Sequence, residues 1–184
     1  MNPRKKLYLL FALIALSVFA LSCATSKANK FIEEGNAAVK EGEQLATEAD
    51  AKITALAGNL DKFPENRDEL KGTTQEILDR LDKSIAKLRE ASTKFDEGSK
   101  TNLDAPLKEY LSLKSQEFSK HAEHLEVLKG IPNAVTDTSI EDRAALDAKF
   151  AQIKERVDGL EKEWTDLSNR ADKIQEQNKD KFKS

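Results

Sequence analysis

Glu117, His121 and His124 are the side chains in this chain whose types and spacing come closest to a chemical site. They stand at i, i+4 and i+7, so one helix face would carry all three. Two imidazoles and a carboxylate could then contribute to a zinc-like centre. The spacing is not the H-E-x-x-H pattern of zinc proteases, and no Glu-x-x-His pair of the di-iron bundle type accompanies it. Bis-histidine haem ligation is also excluded, because two imidazoles one turn apart on one helix cannot approach an iron from opposite sides. His121 lies between Phe118 and Leu125, which makes a boundary histidine the simpler reading and leaves it a possible pH-responsive group. No Gly-x-Ser-x-Gly elbow and no glycine-rich phosphate loop occur elsewhere. The sequence therefore points to no enzyme and calls for no cofactor.

The second chemical candidate is the thiol of Cys23, the sole cysteine. It follows a charged start, Arg4-Lys5-Lys6, and an apolar run from Leu7 to Leu21. That order is a secretory signal peptide. The run is shorter than the roughly 20 apolar residues of a spanning helix. Ala20-Leu21-Ser22 satisfies the small-x-small rule of ordinary secretory cleavage. With the cysteine at the junction, Ala20-Leu21-Ser22-Cys23 also resembles the lipobox of bacterial lipoproteins. A solitary cysteine in an exported protein has no disulfide partner in its own chain, which favours the lipoprotein.

The resemblance implies removal of residues 1–22 and acylation of Cys23, so membrane lipid becomes a partner through that residue. It also implies a location in the bacterial cell envelope. Ala24, where inner-membrane lipoproteins of enteric-type bacteria often carry Asp, favours the outer membrane, facing the periplasm. Residues 23–29 would be a short lipidated tether and residues 30–184 the folded domain.

Composition narrows the partners. The chain holds 30 Lys and Arg against 33 Asp and Glu. Loss of Arg4, Lys5 and Lys6 with the signal leaves 27 cations, a formal charge of about −6 (27 minus 33). There is no basic excess for nucleic acid and no polybasic patch for acidic lipid. With 34% charged residues, 4 Pro and 7 Gly, the chain reads as extended helical protein.

Hydrophobic periodicity then supplies the elements. A first helix spans about Lys27 to Leu60, with a stripe of small residues at Gly35, Ala38, Gly42 and Ala49. A second runs from about Asn66 to Gly98, with Leu70, Ile77, Leu81, Ile85, Leu88 and Phe95 inward and an alternative start at the Thr73–Glu76 capping box. A third begins near Asp104 and stops at Gly130-Ile131-Pro132, followed by a loop to Asp137. The last starts at a capping box, Thr138 to Glu141, and carries a heptad seam from Leu146 to Ile174.

Together these spell an all-α fold, an elongated antiparallel bundle of about four helices with coiled-coil-like packing. Pairing the first helix with the last would seat Trp164 in the notch at Gly42. The Lys-rich end, Lys179 to Ser184, reads as a frayed helix terminus. The functional expectation is a non-catalytic interaction module for an envelope protein partner. The alternatives are a structural spacer or self-associating coiled coil, and a metal-binding protein using Glu117, His121 and His124. The oligomeric state is left open.

Overall fold

The structure is a computed structural model and describes residues 23–182. Its elements are α1 (Cys23–Ala57), a 3-10 turn (Leu60–Lys62), α2 (Arg67–Ser99), α3 (Ala105–Leu128), α4 (Gly130–Thr136), α5 (Arg143–Gln177) and α6 (Lys179–Phe182). No strand occurs among the described residues, and the helices pack as a bundle. The signal peptide and the lipobox residues before Cys23 lie outside the described residues. Residues 23–29 are helical rather than extended, since α1 begins at Cys23 itself.

α2 is the centre of the main core. Leu70, Thr74, Ile77, Leu81, Ile85, Leu88, Ala91 and Phe95 recur every three or four residues, and all are buried. The helix passes through Gly72 without interruption, so the internal capping box is not used as a start. An exposed glycine there costs only about 1 kcal/mol of propensity, less than the packing on either side supplies. α3 starts with Pro106 in its first turn, where the missing donor is harmless.

The long helices run up and down in chain order, but the ring is not closed. α1 packs on α2, α2 on α3, and α3 on α5, while α1 and α5 form no packed interface of their own. That overturns the pairing of the first and last helices. The notch at Gly35 and Gly42 is filled by α2 instead of Trp164. A Cβ on Gly35 would lie 2.9 Å from Phe95 Cζ, and one on Gly42 would lie 3.1 Å from Leu88 Cδ2. Ser84 Oγ reinforces the approach by donating to Gly42 O at 2.7 Å, both groups being buried. Periodicity identifies which face of α1 is narrow. It does not identify which of several bulky seams enters it.

Three further expectations change at the ends of elements. The segment after Gly130 is helix α4 and not a loop, with Pro132, Ala134 and Val135 buried. Gly130 allows the approach of α5, because a Cβ there would meet Ile153 Cδ1 at 2.9 Å. Thr138–Glu141 belongs to a turn in which Asp137 Oδ1 accepts from the Ser139 amide and hydroxyl. The N-cap of α5 is Asp142, which accepts from the Ala145 amide at 2.8 Å. The described part of the C-terminal segment, Lys179–Phe182, is a docked helical turn rather than a frayed end. Phe182 is buried edge-on against Tyr110, with ring centroids 5.1 Å apart.

At the opposite end, Arg67 donates to Ile140 O and Arg143 Nη1 donates to Leu60 O at 2.8 Å. These two guanidinium groups tie the α1–α2 turn to the α4–α5 corner.

Candidate functional site

α3 carries a polar stripe where a core helix would ordinarily be apolar. Lys114, Glu117 and His121 are 7%, 4% and 5% exposed. Their register follows from the helical repeat: Lys114 stands three residues after Leu111 and four before Phe118, on the buried face. Lys114 Nζ donates to Glu117 Oε2 at 2.7 Å, and its ammonium also lies 4.9 Å from the Phe118 ring centroid. Burial of a charge requires such a partner, since an isolated ion would lose several kcal/mol of hydration.

Two neighbouring helices complete this layer. Half-buried Glu43 of α1 is close enough to Lys114 and Glu117 to feel both charges, and from α5 Ser168 hydrogen-bonds Glu117, with Asp172 near it. Burial pushes the Glu43 carboxyl up to about 7. Lys114 draws it back and Glu117 adds to the rise. Burial likewise raises the Glu117 carboxyl, against the opposing pull of Lys114 and Ser168. The phenol of Tyr110 is raised by burial first, then by the charges of Glu117 and Asp172. One ammonium thus faces two enclosed carboxyl groups, and burial favours retention of a proton among them.

One turn further along α3 the histidines meet α5. His121 stacks on Trp164 with ring centroids 4.9 Å apart and planes 12° from parallel. His124 lies beside it, 6.0 Å between centroids. Burial lowers the His121 imidazole to about 3, helped by His124, and lowers His124 to about 4 against the attraction of Asp158. Both rings are therefore neutral at physiological pH.

Glu117, His121 and His124 do share one side of α3, as the spacing requires, yet they do not converge. Glu117 is held by Lys114 and His121 by Trp164. Among the described residues no group of three His, Cys, Asp or Glu side chains could hold a metal ion. Cys23 is the first residue of α1.

Sequence reasoning missed Lys114, Glu43, Tyr110 and Ser168. For Lys114 and Glu117 the signal was present, two charges in the inward register of α3. For Glu43 none was, because its burial depends on which helix passes opposite. Ser84 and Lys87 stand at a Ser-x-x-Lys spacing. It is the arrangement some acylating enzymes use, but here the hydroxyl is bonded to Gly42 O and Lys87 pairs with Glu41 and Glu90. It packs two helices together.

The chain matches no protein-family model, and neither a curated protein nor a solved structure matches it.

Proposed function

We propose that the chain is a lipid-anchored lipoprotein of the bacterial cell envelope whose helical bundle serves as a non-catalytic interaction module. The observation that carries this reading is the position of Cys23. The sole thiol follows the charged and apolar N-terminal run and is also the first residue of α1. Acyl chains on that residue, at about 0.8 kcal/mol per buried methylene, would hold the bundle at a membrane almost permanently. No helix of the described residues is long and apolar enough to cross a membrane.

The geometry gives the anchored bundle a direction. α1 has 35 residues and extends about 52 Å at 1.5 Å per residue. Gly98 packs against Phe31 and Leu111, so the α2–α3 turn lies at the Cys23 end, where Phe182 also docks on α3. The Arg67 and Arg143 ties lie at the far end, and the far end and flanks are offered to a partner. In this reading Ala24, where inner-membrane lipoproteins of enteric-type bacteria often carry Asp, favours the outer membrane, facing the periplasm.

Metabolic labelling with an alkyne palmitate tests the anchor. Label and membrane fractionation should be present in the native chain and absent in Cys23→Ser. Label retained by the variant, or a soluble native protein, would overturn the reading. Photo-crosslinking in cells from exposed positions tests the module, with adducts to one other envelope protein as the expected result.

A second reading, self-association, is favoured by one feature. Phe150, Val157, Leu160, Trp164 and Ile174 of the α5 seam are only half-buried, because one helix rather than two covers them. Light scattering on the purified chain decides it, since a monomer at micromolar concentration excludes it.

A further inference from the structure

We infer that the layer of Glu43, Lys114 and Glu117 is a proton-operated latch, which holds the C-terminal half of α5 against α3 while one carboxyl is protonated and releases it when both are ionised.

The placement of the layer is the first support. The main core joins α1, α2, α3 and α4 to the start of α5. A separate, smaller apolar cluster of Leu113, Leu167 and Ala171 holds the later part of α5, with Tyr110 and Ile174 beside it. The ion pair of Lys114 and Glu117 lies on the same helix, and Ser168 on α5 bonds to it. That half of α5 is thus attached through few apolar residues, the Trp164 stack on His121, the Phe182 contact with Tyr110 and one polar layer.

The charge count is the second support. With both carboxylates ionised, one ammonium cannot neutralise them, and Asp172 adds a further negative charge from α5. The cations of α2 on neighbouring turns are engaged elsewhere, Lys87 with Glu41 and Glu90, Arg89 with Glu126, and Lys94 with Glu34 and Glu97. Tyr110 supplies no cation, and His121 and His124 are neutral at and above neutral pH. An excess of buried negative charge is relieved by admitting water, and swinging the end of α5 away admits it to Glu117 and the Lys114 bonded to it. The Glu43 carboxyl, raised from the usual 4.5 to about 7, sets the working range between those two values. An envelope protein facing the periplasm would experience such changes directly, but the latch itself requires only this chain and stands apart from the anchoring proposal.

Hydrogen exchange on the full chain in detergent, corrected for intrinsic rates, tests it between pH 5.5 and 8.5. Protection of residues 165–182 relative to α2 should fall more than tenfold between pH 5.5 and 7 and then level off. Over 1.5 pH units below its closed-state value, one such group favours the open state about 30-fold. Glu43→Gln keeps the neutral form and should abolish the fall. Glu117→Gln leaves Lys114 with one carboxylate and should do the same, so the test survives if either variant fails to fold. A pH-independent ratio in the native chain, or an unchanged fall in the folded variants, would overturn the latch. Neither result depends on acylation of Cys23.

Discussion

The α1–α2 interface and the α3–α5 interface each join long antiparallel helices, and they do so by different means. Between α1 and α2 the contact is made by Gly35 against Phe95, Gly42 against Leu88, and buried Ala38 and Ala49. Small residues on one side receive large ones from the other, so the backbones approach and little polar surface is enclosed. Between α3 and α5 the contact is a stacked His121–Trp164 pair, the Lys114 layer and a few apolar residues. The first interface resists change because its shapes interlock. The second depends on charge, and charge depends on the solution. Stability and responsiveness are therefore placed on opposite sides of α2 and α3.

The largest expected effect breaks the dry side. Leu88 is fully buried beside Gly42, so Leu88→Ala removes apolar contact and leaves a cavity. It should cost about 2–5 kcal/mol, read as a lower urea midpoint with an unchanged slope. A loss under 1 kcal/mol would mean that the two helices can slide together and the interface is not interlocked.

On the polar side, Lys114→Met leaves Glu117 without its partner. Because Glu117 is already biased toward its neutral form, it should take up a proton instead of remaining charged. The cost should then be about 1–3 kcal/mol at pH 7. Adding Glu117→Leu should recover most of that loss, since an apolar pair of similar volume needs no compensation. Failure of the double variant to recover would show that the layer also orders α5.

The two sides also differ in how much of them is legible in sequence. The apolar positions of α2 follow from spacing alone, and every residue from Leu70 to Phe95 placed inward is buried. The small stripe of α1 was equally visible, but its occupant was not. Trp164, Leu88 and Phe95 are all bulky seam residues, and choosing between them requires knowing that the bundle is open. Helix ends were misread for local reasons: Asp142 competes with Thr138 as a cap, and Pro132 is tolerated early in α4. The polar layer was half visible, in the register of Lys114 and Glu117. Glu43 became part of it only through tertiary placement.

Titration sharpens the contrast, because the polar side should account for most of the pH dependence near neutrality. His121 and His124 have folded values of about 3 and 4, below the usual 6.5. Their contribution is complete above pH 6.5 and is lost as pH falls through that window. The Glu43 value of about 7 lies above the usual 4.5, so its contribution is complete below pH 4.5 and is lost as pH rises to 7. Glu117 shifts in the same direction as Glu43. Between pH 4.5 and 6.5 the carboxyl groups oppose the two histidines, so the net slope should be shallower than the histidines alone would give. Below that range stability should fall. Glu43→Gln removes one opposing group, so stability should then rise more steeply with pH across that range, by up to about 1.4 kcal/mol per unit more. Urea midpoints at half-unit steps check the slope, and an unchanged slope would place the compensation elsewhere.

The smallest effect comes from one substitution made on both sides. At Gly35 a new Cβ meets the Phe95 ring at 2.9 Å, and that ring is itself buried and stacked on Phe118. The ring cannot retreat, so overpacking should outweigh the helix propensity gained, leaving Gly35→Ala about 1 kcal/mol less stable. At Gly159 on α5 nothing lies within 4 Å and the residue is exposed. Gly159→Ala should gain about 0.5–1 kcal/mol from propensity alone. Thermal melts of the two variants should therefore move in opposite directions from the native chain. If both rise, the α1–α2 approach has more slack than its distances imply. If both fall, α5 depends on flexibility at Gly159, which would extend the mobile part of that helix well beyond the Lys114 layer.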